Sequence, residues 1–303
     1  MTQDRTKDRK SFLGGSDIAA VMGLSRWKTP LSLWAEKTGK IQNELSNFEA
    51  AEIGTELEEY VCRKFTKKTG IALRVDNRMF THKKYNYMVA HIDRWVTKGD
   101  AVFEAKTASA WKEKEWGGED IPIEYTLQLI WYLGIVGKKT GYIAVLIGGQ
   151  KFIHKEIQFD QELFDKQVEA ARIFWEDFVL TDTAPMAMEG DSATLLGLFP
   201  QSQPPTLKLE GDKALLLDEL CESRAGGIES IKHAEEELDK IEVQIKQLLG
   251  EAEGAETENY TATWKSQIRT SADIEKMKAE GIFEKYCKTT SSRSLRTKAR
   301  GSK

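Results

Sequence analysis

Apolar residues along the chain switch between two spacings. In residues 47–69, Leu57, Val61 and Phe65 recur every fourth position, with Ile53 extending the row, which predicts one buried helix face. Gly70 closes that helix, and a strand is predicted over 71–80. Two β-rich runs, 88–95 and 101–107, flank Lys98-Gly99-Asp100 and predict a hairpin. Pro122 precedes a predicted helix over 123–136, packed through Leu127, Ile130, Trp131 and Gly134. Gly148-Gly149 joins strands over 141–147 and 152–158. A helix over 161–180 carries Leu163, Phe164, Val168, Ala171, Phe174, Trp175 and Phe178. Near the start, Ser16 is expected to cap a helix over 17–22 that Gly23 stops, and Thr29 with Pro30 opens a second. The order helices, strands, helix, strands, helix predicts an α/β (α+β) domain with a mixed central sheet.

Beyond residue 182 the pattern changes. Four of the six prolines, Pro185, Pro200, Pro204 and Pro205, fall within 181–211, so 183–211 reads as a linker after a core of 1–182. Residues 212–303 form an accessory region. Its first part, 212–250, reads as a long helix. Leu217, Ile231, Leu238 and Ile245 recur at seven-residue steps, and Leu220, Ala234, Ile241 and Leu248 supply the second seam position. Arg224 and Gly227 interrupt that seam, so a break is expected near Gly226-Gly227. The stripe suits a helical arm packed on its own domain or on a neighbour. Residues 259–269 alternate as a strand, a short helix follows Ser271, and the chain from Lys288 onward carries basic residues and no acids. That tail suits solvent, or phosphates with strong salt dependence.

Composition narrows the class. The 303 residues are 40% hydrophobic and 30% charged, with a net charge of −4. No global nucleic-acid signature exists, so any contact with DNA must use a local basic lining. Cys62, Cys221 and Cys287 are far apart and lack metal-ligand spacing, which argues against a disulfide framework or a zinc site. No apolar run reaches membrane-spanning length, and the polar start MTQDRTKDRK has no signal-peptide core. A soluble intracellular protein of a reducing cytoplasm is expected.

The candidate chemistry lies in residues 90–107, AHIDRWVTKGDAVFEAKT. Alternate strand residues share a face, so His91 goes with Asp93, and Glu104 with Lys106. Pairing the strands gathers Asp93, Glu104 and Lys106. Two carboxylates and an ammonium are costly to crowd unless they bind a cation or run a reaction. Ordinary salt-bridged strands carry the same residue types. Elsewhere, Glu58 flanks the stripe of its helix, and Gln128 and Tyr132 form an i, i+4 pair. In the charged loop 108–120, Trp111 and Trp116 read either as core caps or as aromatic surfaces beside bases.

The ordered set RKSFLGGSDIAAVMG, GTELEE, AHIDR, FEAKT and EYTLQLIWYL, within about residues 9–180, resembles the lambda-exonuclease/YqaJ-type viral recombinase family, a branch of the PD-(D/E)xK nucleases. The strict Pro-Asp pair is absent; Ile92 precedes Asp93. The resemblance implies a restriction-endonuclease-like core in which Glu58, Asp93, Glu104 and the Ala105 carbonyl hold one or two Mg²⁺, with Mn²⁺ as the alternative. It implies that Lys106 orients or deprotonates the attacking water and that Gln128 helps position it. Ser16 and Arg9 would hold a terminal 5′-phosphate, with Lys10 or Arg5 as substitutes for Arg9. His91 would face phosphate or metal. The implied activity is 5′→3′ degradation of one strand of duplex DNA from 5′-phosphorylated ends, leaving 3′ overhangs. The implied assembly is a ring-shaped homotrimer working with a single-strand annealing protein, in a phage or prophage setting in the bacterial cytoplasm. The alternatives are a PD-(D/E)xK endonuclease and a non-catalytic DNA-binding or assembly protein of the same fold.

Overall fold

The computed structural model describes residues 9–41, 48–99, 101–288 and 292–298. Two compact units divide between Pro200 and Gln201.

The first unit opens with a 3-10 turn, Arg9–Ser11, then helices α1 (Gly15–Val21), α2 (Pro30–Lys37) and α3 (Phe48–Thr69). Thr29 caps α2 as expected, its hydroxyl accepting from Ser32 N at 3.0 Å, with Pro30 at the first helical position. The start of α1 differs from expectation. Asp17, rather than Ser16, closes the turn, its carboxylate accepting from Gly14 N at 3.1 Å, so the helix begins at Gly15 and Ser16 stays exposed.

Strands β1 (Leu73–Arg74), β2 (Met79–Thr81), β3 (Val89–His91), β4 (Arg94–Val96) and β5 (Ala101–Ala108) follow. The single strand expected over 71–80 is two. Asp76 Oδ1 accepts from Arg78 N at 3.2 Å, a turn that interrupts the extended chain. The first arm of the expected hairpin is likewise broken. β3 pairs with β2, whereas β4 pairs with β5. At the break, the Asp93 carboxylate accepts from Ala105 N at 2.9 Å, a side-chain bond where a continued ladder would place a backbone one.

After β5 come a 3-10 turn (Ala110–Lys112), a short α4 (Glu113–Trp116) and α5 (Ile123–Val136). β6 (Thr140–Ile147) and β7 (Lys151–Gln158) are joined through Gly148 and Gly149, both at positive φ, as a tight hairpin requires. The main sheet has the order β1-β4-β5-β6-β7, with β5 and β6 parallel and every other pair antiparallel. α5 is the crossover between the parallel strands.

The sheet separates two apolar cores. On one face Val102, Ile143, Val145 and Ile147 pack with Leu127, Ile130 and Trp131 of α5 and Ile18 of α1. On the other, Phe103, Ala144 and Leu146 pack with Val61 and Phe65 of α3. Side chains alternate along a strand, so Glu104 and Lys106 share the α5 face with Val102. α6 (Gln161–Ile173) then widens into a π-helical turn over Phe174–Val179, with Leu180 N donating to Trp175 O at 2.9 Å. Residues 183–200, read as linker, include α7 (Ser192–Leu198). The buried Asp191 before it accepts from Thr29 Oγ1 and from Met188 N, which ties this stretch to α2.

In the second unit α8 runs unbroken from Asp212 to Leu249, through Gly226 and Gly227, where a break was expected. Two helical glycines cost about 1 kcal/mol each relative to alanine, which a long helix can absorb. The expected strand over 259–269 is shorter: β9 (Thr261–Thr263) pairs with β8 (Gly254–Glu256). α9 (Ile274–Ala279) begins at the Asp273 cap. Part of the basic C-terminal stretch lies outside the described residues. Among the described residues, no helix is long and apolar enough to cross a membrane.

Candidate active site

The β5 sequence Phe-Glu-Ala-Lys places Glu104 and Lys106 two residues apart on the α5 face. Lys106 Nζ donates to Glu104 Oε1 at 2.5 Å. From α5, Gln128 Nε2 donates to the same Oε1 at 2.7 Å and lies 2.8 Å from the Tyr132 hydroxyl. One turn of helix separates Gln128 from Tyr132, so both side chains face the strand. Asp93 enters from the β3–β4 break, held against Ala105 N. Glu104 is 3% exposed, and its second oxygen, Oε2, is buried with no hydrogen-bond partner.

Burial drives the Glu104 carboxyl up to about 8, and the nearby Asp93 charge adds to the rise; Lys106 offsets only part of it. Burial also works against the Lys106 ammonium, but the Glu104 and Asp93 carboxylates outweigh it, and its pKa ends above the usual lysine value. Lys106 is therefore a cation at neutral pH. The Tyr132 phenol is raised well above its usual value by burial and by the same two carboxylates, and stays neutral. Once Glu104 ionises, above about pH 8, two carboxylates face the one ammonium of Lys106.

That donor set fits a hard divalent cation. Glu104 Oε2 is an unpartnered buried oxygen, Asp93 is beside it, and carboxylate oxygens suit Mg²⁺ or Mn²⁺. Glu58 is placed differently. Arg94 Nη1 donates to Glu58 Oε1 at 2.5 Å and to the Asp93 backbone carbonyl at 2.6 Å, and Nη2 reaches Glu59 at 3.0 Å. Arg94 is the register partner of Phe103, which packs on α3, so this ion pair lies on the face opposite Glu104. Among the described residues, no three His, Cys, Asp or Glu side chains gather as a ready-made cation cage. Asp93 and Glu104 come together, and Glu58 stands one guanidinium away from Asp93.

The candidate phosphate residues border this cluster. Gly15 packs against Tyr132 and Gln128, which sets the exposed Ser16 at the edge of the site. Arg9 lies in the exposed first turn, and its backbone carbonyl accepts from the buried Lys37 Nζ at 2.8 Å. Lys37 also donates to Phe12 O and to Asp17 Oδ2, each at 2.8 Å, fastening the first turn to α1 and α2. His91 is exposed with its ring 5.7 Å from Phe12, toward the N-terminal segment. Lys10 lies over Gly39, and Arg5 falls outside the described residues. Sequence patterns missed Lys37 and Arg94, because a cation at a helix end or strand start reads as solvated surface. The Asp17 three residues after Gly14 was the one available hint of a buried cationic partner.

The fold and site define a restriction-endonuclease-like core. The crystal structure of an alkaline exonuclease from Laribacter hongkongensis (LHK-Exo) superposes with a TM-score of 0.50 at 17% identity, covering 58% of this chain and 91% of that one. The same enzyme in complex with dAMP gives a TM-score of 0.49 at 18% identity, with the same coverage. Residues 6–142 match the model of the YqaJ-like viral recombinase domain. The YqaJ protein of Bacillus subtilis (strain 168) is 36% identical over 291 residues, spanning 93% of this chain and 90% of the relative. The chain belongs to the YqaJ-like viral recombinase family.

Proposed function

We propose that this protein is a metal-dependent exonuclease that degrades one strand of duplex DNA from a 5′-phosphorylated end, 5′ to 3′, leaving 3′ single-stranded overhangs for annealing recombination. The observation that carries this reading is the Glu104 carboxylate, clasped by Lys106 and Gln128 through one oxygen while the other is buried and unpartnered beside Asp93.

Asp93 and Glu104 would hold Mg²⁺ or Mn²⁺, one or two ions, with the Ala105 carbonyl and Glu58 as further candidates. When bound, such an ion lowers the pKa of water and neutralises charge on the scissile phosphate. In hydrolysis the water oxygen bonds to phosphorus, the P–O3′ bond breaks, and O3′ leaves with a proton. Each cut regenerates a 5′-phosphate on the next nucleotide, which Ser16 and Arg9 would receive at the edge of the site. Lys106 stays protonated beside Glu104, so its role is to hold a positive charge against the growing negative charge of the phosphate and to orient the water. Gln128 fixes the Glu104 oxygen and is itself held by Tyr132.

Family kinship extends the proposal to a ring-shaped homotrimer and an annealing protein as partner. Incubation with linear and with covalently closed duplex DNA, in Mg²⁺ and in chelator, tests the reading. Mononucleotide release from linear DNA alone, abolished by chelator, is expected. Linearisation of the closed circle would instead identify an endonuclease.

A further inference from the structure

Beside Lys106, away from the carboxylates, stands a row of rings. Lys106 Nζ lies 5.3 Å from the centre of the Tyr125 ring, in the first turn of α5. Tyr125 stacks on the buried Trp116 at 5.3 Å and 27°, which fixes its orientation. Its other neighbour is Trp27, from the loop between α1 and α2, at 6.2 Å. Trp27 is 54% exposed, although an indole of that size gains by burial. Two cations attend it: Lys112 Nζ at 5.2 Å and the Arg26 guanidinium carbon at 5.4 Å. Arg26 is locked in place by Glu124 at 2.7 Å and Glu115 at 2.8 Å. The Lys112 ammonium sits over the indole.

We propose that Trp27, with Lys112 beside it, is a stacking platform for a base of the bound DNA strand a few nucleotides from the scissile phosphate, so that Trp27 positions the strand for cleavage at Lys106. The inference rests on the nuclease reading of the Lys106 site and adds a strand-holding subsite to it. Three observations carry it. A large aromatic surface is left to solvent, a cation suited to a phosphate stands at its edge, and the rigid Tyr125–Trp116 stack links both to Lys106. Lys106 Nζ lies 5.3 Å from the Tyr125 ring and Tyr125 lies 6.2 Å from Trp27, each under two base rises of about 3.4 Å, so Trp27 lies within about three to four nucleotides of Lys106. Base-on-aromatic stacking is tolerant of sequence, as an enzyme that removes successive nucleotides requires. A loop anchor alone would explain the Lys112–Trp27 contact, but an anchor gains nothing from an indole left more than half exposed.

The test is binding of a 5′-phosphorylated duplex with a short single-stranded overhang, measured in chelator so that the strand stays intact, followed by kinetics in Mg²⁺. Trp27→Ala is expected to weaken binding by about 5- to 150-fold, the range for losing one stacked base. Trp27→Phe, which keeps a ring, is expected to recover most of that loss. In kinetics the Trp27→Ala defect should fall more on KM than on kcat. Lys112→Gln should flatten the dependence of affinity on salt. The proposal is overturned if Trp27→Ala binds DNA as tightly as the wild type, or if Trp27→Phe binds no better than Trp27→Ala while both melt at the wild-type temperature. Wild-type protein that binds the duplex but releases no nucleotide in Mg²⁺ overturns the nuclease reading instead, and the binding comparison still decides the platform.

Discussion

Gly15 lies so close to Tyr132 that a Cβ at residue 15 would fall 2.5 Å from the ring carbon Cε1, and 3.1 Å from Gln128 Cγ. The start of α1 is thereby in direct contact with the pair that holds Glu104. Gly15→Ala should push Tyr132 and Gln128 off their positions. We expect a loss of roughly 1–3 kcal/mol in stability, the usual penalty for overpacking, measurable by urea unfolding. Nucleotide release should fall by more than that loss of folded protein explains.

Lys37 is a buried cation whose three donors all have acceptors. Lys37→Met would strand the Asp17 carboxylate and two backbone carbonyls. Breaking a buried ion pair from one side costs about 3–5 kcal/mol. A thermal melt should show the fall, and the surviving folded fraction should lose its preference for 5′-phosphorylated ends, because this lysine fastens the Arg9 backbone and Asp17, the residue next to Ser16.

The Glu104 carboxyl, raised to about 8 in the folded chain, gives a pH signature. An unfolded glutamate loses its proton near pH 4.3, so between there and about pH 8 the folded state binds the extra proton. Stability of the metal-free protein should therefore decline as pH rises through that window and level off above it. Glu104→Gln should remove the decline, and Mg²⁺ should reduce it in the wild type. Melting temperatures at pH 5 and pH 8.5, with and without Mg²⁺, check all three statements.

Burial drives the Cys62 thiol up to about 12, with Arg94 pulling the other way. A thiol that is both buried and protonated is a poor nucleophile. At pH 8 a maleimide should modify the exposed Cys287 and leave Cys62 intact unless the protein is unfolded, as peptide mass mapping would show.

Much of this architecture was legible in the sequence because its signals are local. The helix over 123–136 was announced by Pro122, and the Gly148-Gly149 turn set the next hairpin. The restriction-endonuclease-like core and the family followed from five short motifs in order. What escaped was set by contacts between distant segments. The break at Asp93 depends on a bond to Ala105, which the alternation of 88–95 does not reveal. Arg94 joins Glu58 to the Asp93 carbonyl, a link that the apolar stripe of its helix does not reveal. The apolar seam of α8 was legible, but its continuity through Gly226-Gly227 was not, since two helix-weakening residues cannot be weighed against 38 residues of helix by inspection.

The central claim is that Lys106 and its carboxylates cut DNA from a 5′-phosphorylated end. The most direct measurement is nucleotide release from linear duplex in Mg²⁺, comparing 5′-phosphate with 5′-hydroxyl ends and wild type with Lys106→Ala. The account predicts faster release from the phosphorylated end and a loss of roughly 100- to 1,000-fold or more in Lys106→Ala, the scale of removing one transition-state donor. Wild-type protein that binds the duplex yet releases no nucleotide, or a Lys106→Ala variant as active as the wild type, would contradict it.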